Sequence, residues 1–378
     1  MADRPAPLVL VVDPDGRPEP TFGSYAAVAR TGQALLAAEL SQRLGAQGAA
    51  VARLPAQAST PDQPFHWGRW YATAARQALQ AAAASPLDAI GYAGAGSLAL
   101  LDDDGLDSLL SPTPGQVAAN NRYSADAFVV AGDPGAAITA LESAESDNVA
   151  VRVLEAAGFA SRDLRDRPWS RFDVDTPLDL AILRLAGRLS GTRSLEGTLA
   201  GFLEMATLPG GRRLEIPHLA EIGAVMRDRD GELLVAGRIP AETLARLETE
   251  TACRVRAYVE ERGMRSARRA RPRSLLAGVA RRLGPAGLVA ELACLADAVI
   301  LDSRVVMAAL AGSAESASWP PDEERFASDF GDVARIVTPW LRELAEAAAG
   351  AEVPFLLGGH GLVSDGLRVL VEAAWLGR

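Results

Sequence analysis

The chain has 378 residues, 49% hydrophobic and 23% charged, which is a globular balance and long enough for two hydrophobic cores. Its formal charge of −10 argues against nucleic acid as a partner, since that needs a basic footprint. There is no lysine, so all 38 basic residues are arginine, and Schiff-base chemistry, pyridoxal phosphate attachment and a Walker P-loop are excluded.

No apolar run reaches the roughly 18 residues that span a bilayer. Met1 to Pro5 lead straight into Leu8 to Val12 and Asp13, too short a stretch for a signal-peptide core. A cytoplasmic protein with no membrane partner is expected. Cys253 and Cys294 lie in apolar stretches and are expected to be buried, inert thiols.

Leu8 to Val12 reads as a strand that ends at the turn signal Asp13-Pro14-Asp15-Gly16. Helical spacing follows over 25–44, then a strand at Ala50 to Leu54 and a polar loop with Pro55, Pro61 and Pro64. An Ala-rich helix over 70–84 leads to a strand at Ala89 to Ala93, which opens into Gly94-Ala95-Gly96-Ser97. Alternating strands and helices with short connections indicate a parallel sheet with helices on its faces. His66, among Phe65, Trp67 and Trp70, reads as a packed loop residue rather than a base.

Further on, Asp126 to Val130 reads as a strand, Asp147 to Ala157 as a helix and Phe172 to Val174 as a short strand. Asn120 to Asp126 is either a turn, or a stretch in which Asn121, Ser124 and Asp126 line a ligand crevice beside Asp173. After the last strand, Asp175 or Thr176 can cap a helix, Pro177 suits its first turn, and Asp179 suits its positive end. Asp173 has no capping role. On a strand it would share a face with Asp175, so the two together could approach one divalent cation.

The run Asp173-Val174-Asp175-Thr176-Pro177-Leu178-Asp179-Leu180 resembles the closing motif of the glycosyltransferase-A-like nucleotidyltransferases, such as the molybdenum-cofactor and 2-phospholactate guanylyltransferases. Ile90 to Asp102 lies where that family has its first metal-binding strand end. Asn120 to Asp126 falls in its substrate-facing region. The resemblance covers roughly residues 6–190. It implies a nucleotide-diphospho-sugar-transferase-like mixed sheet with helices on both faces, Asp173 and Asp175 as catalytic metal ligands for Mg2+, and a nucleotide as partner. The first strand here runs into Asp13-Pro14-Asp15-Gly16-Arg17, without the family's glycine pair or lysine. Arginine would have to clamp the phosphates.

Gly and Ser between Gly187 and Arg193 mark a boundary, giving domains of 1–190 and 191–378. Beyond it, a helix at Ser194 to Met205 precedes strands at Leu233 to Ala236, Val255 to Val259, Ala298 to Leu301 and Pro354 to Leu357, with Ile222 to Met226 a candidate fifth. Helices over 241–249, 275–283, 286–295 and 333–349 separate them, so this half is a second, Rossmann-like α/β domain of no recognised family. Its strands end in Gly237-Arg238, Glu260-Glu261-Arg262, Asp302-Ser303-Arg304 and Gly358-Gly359-His360-Gly361. Ligands of open parallel sheets bind at such ends. Arg238, Arg262 and Arg304 offer forks for phosphate or carboxylate, Gly358 and Gly359 allow close approach, and His360 can act as acid or base. Asp302, Glu260 or Asp365 could orient His360 or hold a metal. The arginine run from Arg262 to Arg273 is a solvated loop or a phosphate-contacting flap. His218 reads as structural.

The leading expectation is a divalent-metal-dependent nucleotidyltransferase or sugar-nucleotide-handling enzyme. One alternative makes the second domain the enzyme, acting on a phosphorylated or carboxylated small molecule with the first as scaffold. Another is a non-catalytic ligand-binding or assembly protein.

Overall fold

A computed structural model of the chain describes residues 6–14, 23–55, 65–82, 87–189, 192–264 and 271–376. The protein is α/β, and its residues fall into two compact units. The first holds residues 6–14, Arg30–Val174 and Thr192–Leu199; the second holds residues 23–29, 175–189 and 200–376. Each unit is thus built from several stretches of chain, whereas the composition shift near Gly187 suggested one continuous domain after another.

The first unit is built on β1 (Leu8–Asp13), β2 (Ala50–Pro55), β3 (Ala89–Ala93), β4 (Gln116–Ala119), β5 (Ala127–Ala131) and β6 (Ala160–Asp163), in the order β2-β1-β3-β5-β4-β6. The sheet is mixed. β5 runs antiparallel to both β3 and β4, while the other pairings are parallel. The period-2 geometry of a strand sends alternate side chains to opposite faces. Leu8, Leu10, Ile90, Tyr92, Phe128 and Val130 pack with Trp67 and Tyr71 of the helix Trp67–Ala81, and Val9, Val11, Ala89 and Val129 pack on the other face with Leu40 and Leu44. Two covered faces account for the near-continuous apolar runs.

A two-stranded ladder, β7 (Thr207–Leu208) with β8 (Arg212–Arg213), belongs to the second unit. Its main sheet is β9 (Glu232–Gly237), β10 (Arg254–Val259), β11 (Ala298–Asp302) and β12 (Phe355–Gly358), all parallel, in the order β10-β9-β11-β12. From β9 the chain moves outward to β10, then returns past β9 to β11. The order therefore reverses between β9 and β11, a topological switch point. Leu233 to Ala236 and Ala298 to Leu301 are all wholly buried, as expected of parallel strands covered on both faces.

Several expected elements differ. Ile222 to Met226 is not a strand but part of the helix Leu219–Arg227, with Ile222, Gly223 and Met226 facing inward at helical spacing. Phe172 to Val174 is not a strand either; residues 172–175 run without a ladder, and Val174 N donates to Gly96 O at 3.1 Å. β4 has no counterpart among the expected strands. The two helices expected over 275–295 are one element, Leu275–Ala293, broken at Gly284 (φ 78°) before Pro285. Residues 333–349 begin with a 3-10 turn at Val333–Arg335 before the helix Pro339–Ala349. Cys294 is exposed and Cys253 only half-buried, against the expectation of two buried thiols. No helix among the described residues is long and apolar enough to cross a membrane.

The helix Pro177–Ala186 begins as its sequence dictates. Thr176 Oγ1 accepts from Asp179 N at 3.2 Å and donates to Asp179 Oδ2 at 2.8 Å, while Thr176 N donates to the same carboxylate at 2.9 Å, a reciprocal capping box. Thr176→Ala is expected to cost about 1–2 kcal/mol, read as a lower denaturant midpoint at unchanged m value.

Candidate functional site

Charged side chains gather at the carboxyl ends of β9, β11 and β12. β9 ends at Gly237, whose φ of 127° favours glycine; a Cβ there would lie 2.3 Å from Asp302 Cβ. The close approach lets the next residue, Arg238, turn onto Asp302. Arg238 Nε donates to Asp302 Oδ2 at 2.6 Å and Nη2 donates to Oδ1 at 3.0 Å, a two-point fork. Asp302 ends β11 and caps the helix Ser303–Ala311, accepting from Arg304 N at 3.2 Å. It is wholly buried. Burial pushes its carboxyl up, but the charge and hydrogen bonds of Arg238, with His360 and Arg304, outweigh burial and hold it below the usual carboxylate range.

Behind Asp302 lies a second pair. Arg304, 6% exposed, forks onto Asp329, with Nη2 to Oδ2 at 2.6 Å. Its Nη1 also donates to Ser303 Oγ at 3.0 Å, and Ser303 Oγ donates to Gly358 O at 3.2 Å, tying the helix start to β12. Asp329 is the last residue of the helix Asp322–Asp329, where the helix dipole disfavours a carboxylate. Burial holds its carboxyl above the usual range despite Arg304. Arg325 acts on Asp329, pairs with Asp322 and stacks over Trp319 at 5.4 Å. Asp179 completes the group. Burial, then repulsion from Asp175, raise its carboxyl to about 7; the Thr176 hydroxyl and Asp175 amide oppose the rise, and Asp329 adds to it.

The turn after β12 closes over this network. Asp302 pairs in register with Gly358, so His360 begins the following helix two residues beyond it. His360 is exposed, and its charge acts on Asp302. A Cβ on Gly359 would lie 3.6 Å from Arg304 Nε, and one on Gly361 would lie 2.3 Å from Asp179 Oδ1. Gly358 serves packing, because a Cβ there would meet Leu362 at 2.5 Å and Leu178 at 3.0 Å. The turn leads into a wide π-helical stretch, Leu362–Gly366, a feature enriched at functional sites.

Other sequence candidates lie elsewhere or are engaged locally. Arg262 is exposed beyond the edge strand β10, and Glu260 accepts from Ser274 Oγ and from Leu275 N at the start of the helix Leu275–Ala293, so it does not orient His360. Of the arginine run, 265–270 lie outside the described residues. In the first unit Asn121 Oδ1 accepts from Tyr123 N at 3.1 Å and Ser124 Oγ donates to Asn148 Oδ1. Asp126 accepts from Asn120 Nδ2, Asn120 Oδ1 accepts from Asp126 N and Ala127 N, and Arg122 N donates to Asp163 Oδ2 at 3.1 Å, so the β4–β5 connection is held by its own side chains together with Asn148 and Asp163. His66 caps the helix Trp67–Ala81, accepting from Arg69 N at 3.4 Å, and His218 caps the helix Leu219–Arg227 in a left-handed conformation.

The strand that would give Asp173 and Asp175 a common face is absent. Phe172 and Val174 are buried, Asp173 is half-buried and belongs to the first unit, and Asp175 is exposed and belongs to the second. Among the described residues no three His, Cys, Asp or Glu side chains are grouped to hold a metal ion. From sequence alone Asp179 has only a capping role, and nothing requires Asp329 in the site. A carboxylate at the dipole-disfavoured end of a helix is the signal that marks Asp329.

A comparison with protein-family models finds no match to this chain, and a comparison with curated proteins finds none either.

Asp179 keeps its proton to a higher pH in the folded chain than in the unfolded one. Between about pH 4 and about pH 7 the unfolded chain therefore binds fewer protons, and stability falls as pH rises. Across that window Asp179→Asn is expected to remove a loss of up to about 4 kcal/mol. Thermal melts of both proteins at stepped pH measure the difference in slope, and parallel slopes would count against the assignment.

Proposed function

We propose that the second unit binds a small molecule bearing a phosphate or carboxylate at the carboxyl ends of β9, β11 and β12, with Arg238 and His360 as the ligand-facing cations. The observation that carries this reading is the buried charge network at the switch point between β9 and β11. Buried ion pairs add little stability over apolar packing of similar volume. Their value lies in presenting fixed charge where a ligand arrives. Asp302 engages Nε and Nη2 of Arg238, and among the described residues the Nη1 edge is not bonded. That edge can donate to an anion without any change of rotamer. His360 is the group that can exchange a proton with the ligand.

This reading puts the ligand in the second unit rather than in the nucleotidyltransferase-like first unit. There Asn121 and Ser124 are engaged by neighbours in the chain fold.

Thermal-shift titration with inorganic phosphate, phosphorylated and carboxylated metabolites, and nucleotides with Mg2+ tests it. Arg238→Gln and His360→Gln are each expected to weaken the stabilising ligand about tenfold or more, in line with the roughly 1.5–3 kcal/mol of a hydrogen bond to a charged group. Asp173→Asn should leave it unchanged. A nucleotide whose binding survives both of those variants but fails in Asp173→Asn would move the site to the first unit.

A further inference from the structure

We propose that Asp302 is the positioning residue of this site: it holds Arg238 and His360, which lie just past the strands on either side of β11, as one cationic pair facing the ligand. The inference rests on reading that site as an anion site. β11 lies between β9 and β12 in the sheet, so a carboxylate at its end can reach the residues just past either neighbour. It reaches Arg238 through two hydrogen bonds, at 2.6 and 3.0 Å, which lock the guanidinium plane and direct its Nη1 edge away from Asp302. Room for this exists only because residue 237 is glycine.

On the other side, register places Gly358 opposite Asp302, and Ser303 Oγ bonds Gly358 O, so the strand end from which the His360 turn departs is tied beside the carboxylate. The attraction between Asp302 and His360 is reciprocal. The histidine helps keep the carboxylate ionised, and the carboxylate favours the imidazolium. The charged groups facing Asp302 are Arg238 beyond β9, Arg304 on its own helix and His360 beyond β12; Asp329 and Asp179 act on Arg304. Arg238 cannot lose its charge, so His360 alone makes the pair responsive to pH.

The test uses the full chain, the ring resonances of its three histidines, and sulfate as an anion whose own charge is constant across neutral pH. In Asp302→Asn the His360 titration is expected to move down by about one pH unit, with His66 and His218 unmoved. Sulfate should bind about tenfold more weakly one unit above the His360 midpoint than well below it, and the variant should carry that loss down with the ring. An unmoved His360 ring in folded Asp302→Asn, or a weakening equal at every pH, overturns the proposal. If that variant does not fold, the native Asp302 carboxyl carbon decides. Its resonance should step at the His360 midpoint and lose the step in His360→Gln, and absence of the step overturns the coupling. If sulfate binds at no pH while the ring still moves, the coupling holds and the anion reading fails.

Discussion

The second unit is organised around one carboxylate that has left water. Asp302 is wholly buried at the end of β11, and the Arg238 fork and the charges of His360 and Arg304 hold its carboxyl below the usual range. An isolated carboxylate in that position would carry a penalty of several kcal/mol even after relaxation. Much of the local sequence follows from avoiding it. Residue 237 must be glycine for β9 to come close enough, and residue 238 must offer a planar fork. The helix after β11 must start at once, so that Arg304 N can donate.

The absence of lysine acquires structural content here. Arg238 meets Asp302, and Arg304 meets Asp329, each through two donors of a rigid fork, a geometry that a single ammonium cannot reproduce. Charges alternate from Arg238 through Asp302, Arg304, Asp329 and Arg325 to Asp322, which reaches solvent. Asp179 stands beside this series, and among the described residues it has no arginine fork of its own. Its oxygen Oδ2 accepts from the Asp175 and Thr176 amides and the Thr176 hydroxyl, all neutral donors. It therefore resolves its burial by retaining a proton at pH values where Asp302 has lost its own.

The features legible in the sequence are local ones. The Thr176-Pro177-Leu178-Asp179 start signals its helix through capping chemistry that needs only those residues, and the box forms as the pattern requires. Four β-branched or aliphatic runs ending in glycine or charge mark β9 to β12 within a residue or two. The errors arise where neighbours decide. Residues 172–174 have strand composition but no partner to pair with. Ile222 to Met226 is apolar enough for either period, and its burial at helical spacing depends on the elements packed against it. β4 is four residues long, and nothing in its composition announces the antiparallel β5 beside it. Arg238, Asp302 and Arg304 are visible as strand-end charges, but their pairing depends on strand order, and so does the burial of Asp329.

The two units hold their strand ends with different mixtures of local and long-range side-chain bonds. In the first, Asn120, Asn121 and Asp126 bond to one another or to backbone within seven residues, while Ser124 meets Asn148 across 24 positions and the Arg122 amide meets Asp163 across 41. The local bonds form as the turn forms and need no tertiary structure to specify them. In the second, Arg238 meets Asp302 across 64 positions and Arg304 meets Asp329 across 25, each inside the protein. Those pairs exist only when the sheet is assembled, and apolar residues of similar volume would serve its stability as well. Arg238, its side chain 12% exposed, turns one edge from Asp302, and His360 lies exposed two residues past β12. The proposed anion site therefore rests on the fork and the charge gathered at the strand ends of the second unit, since long-range side-chain bonds occur at the strand ends of both units.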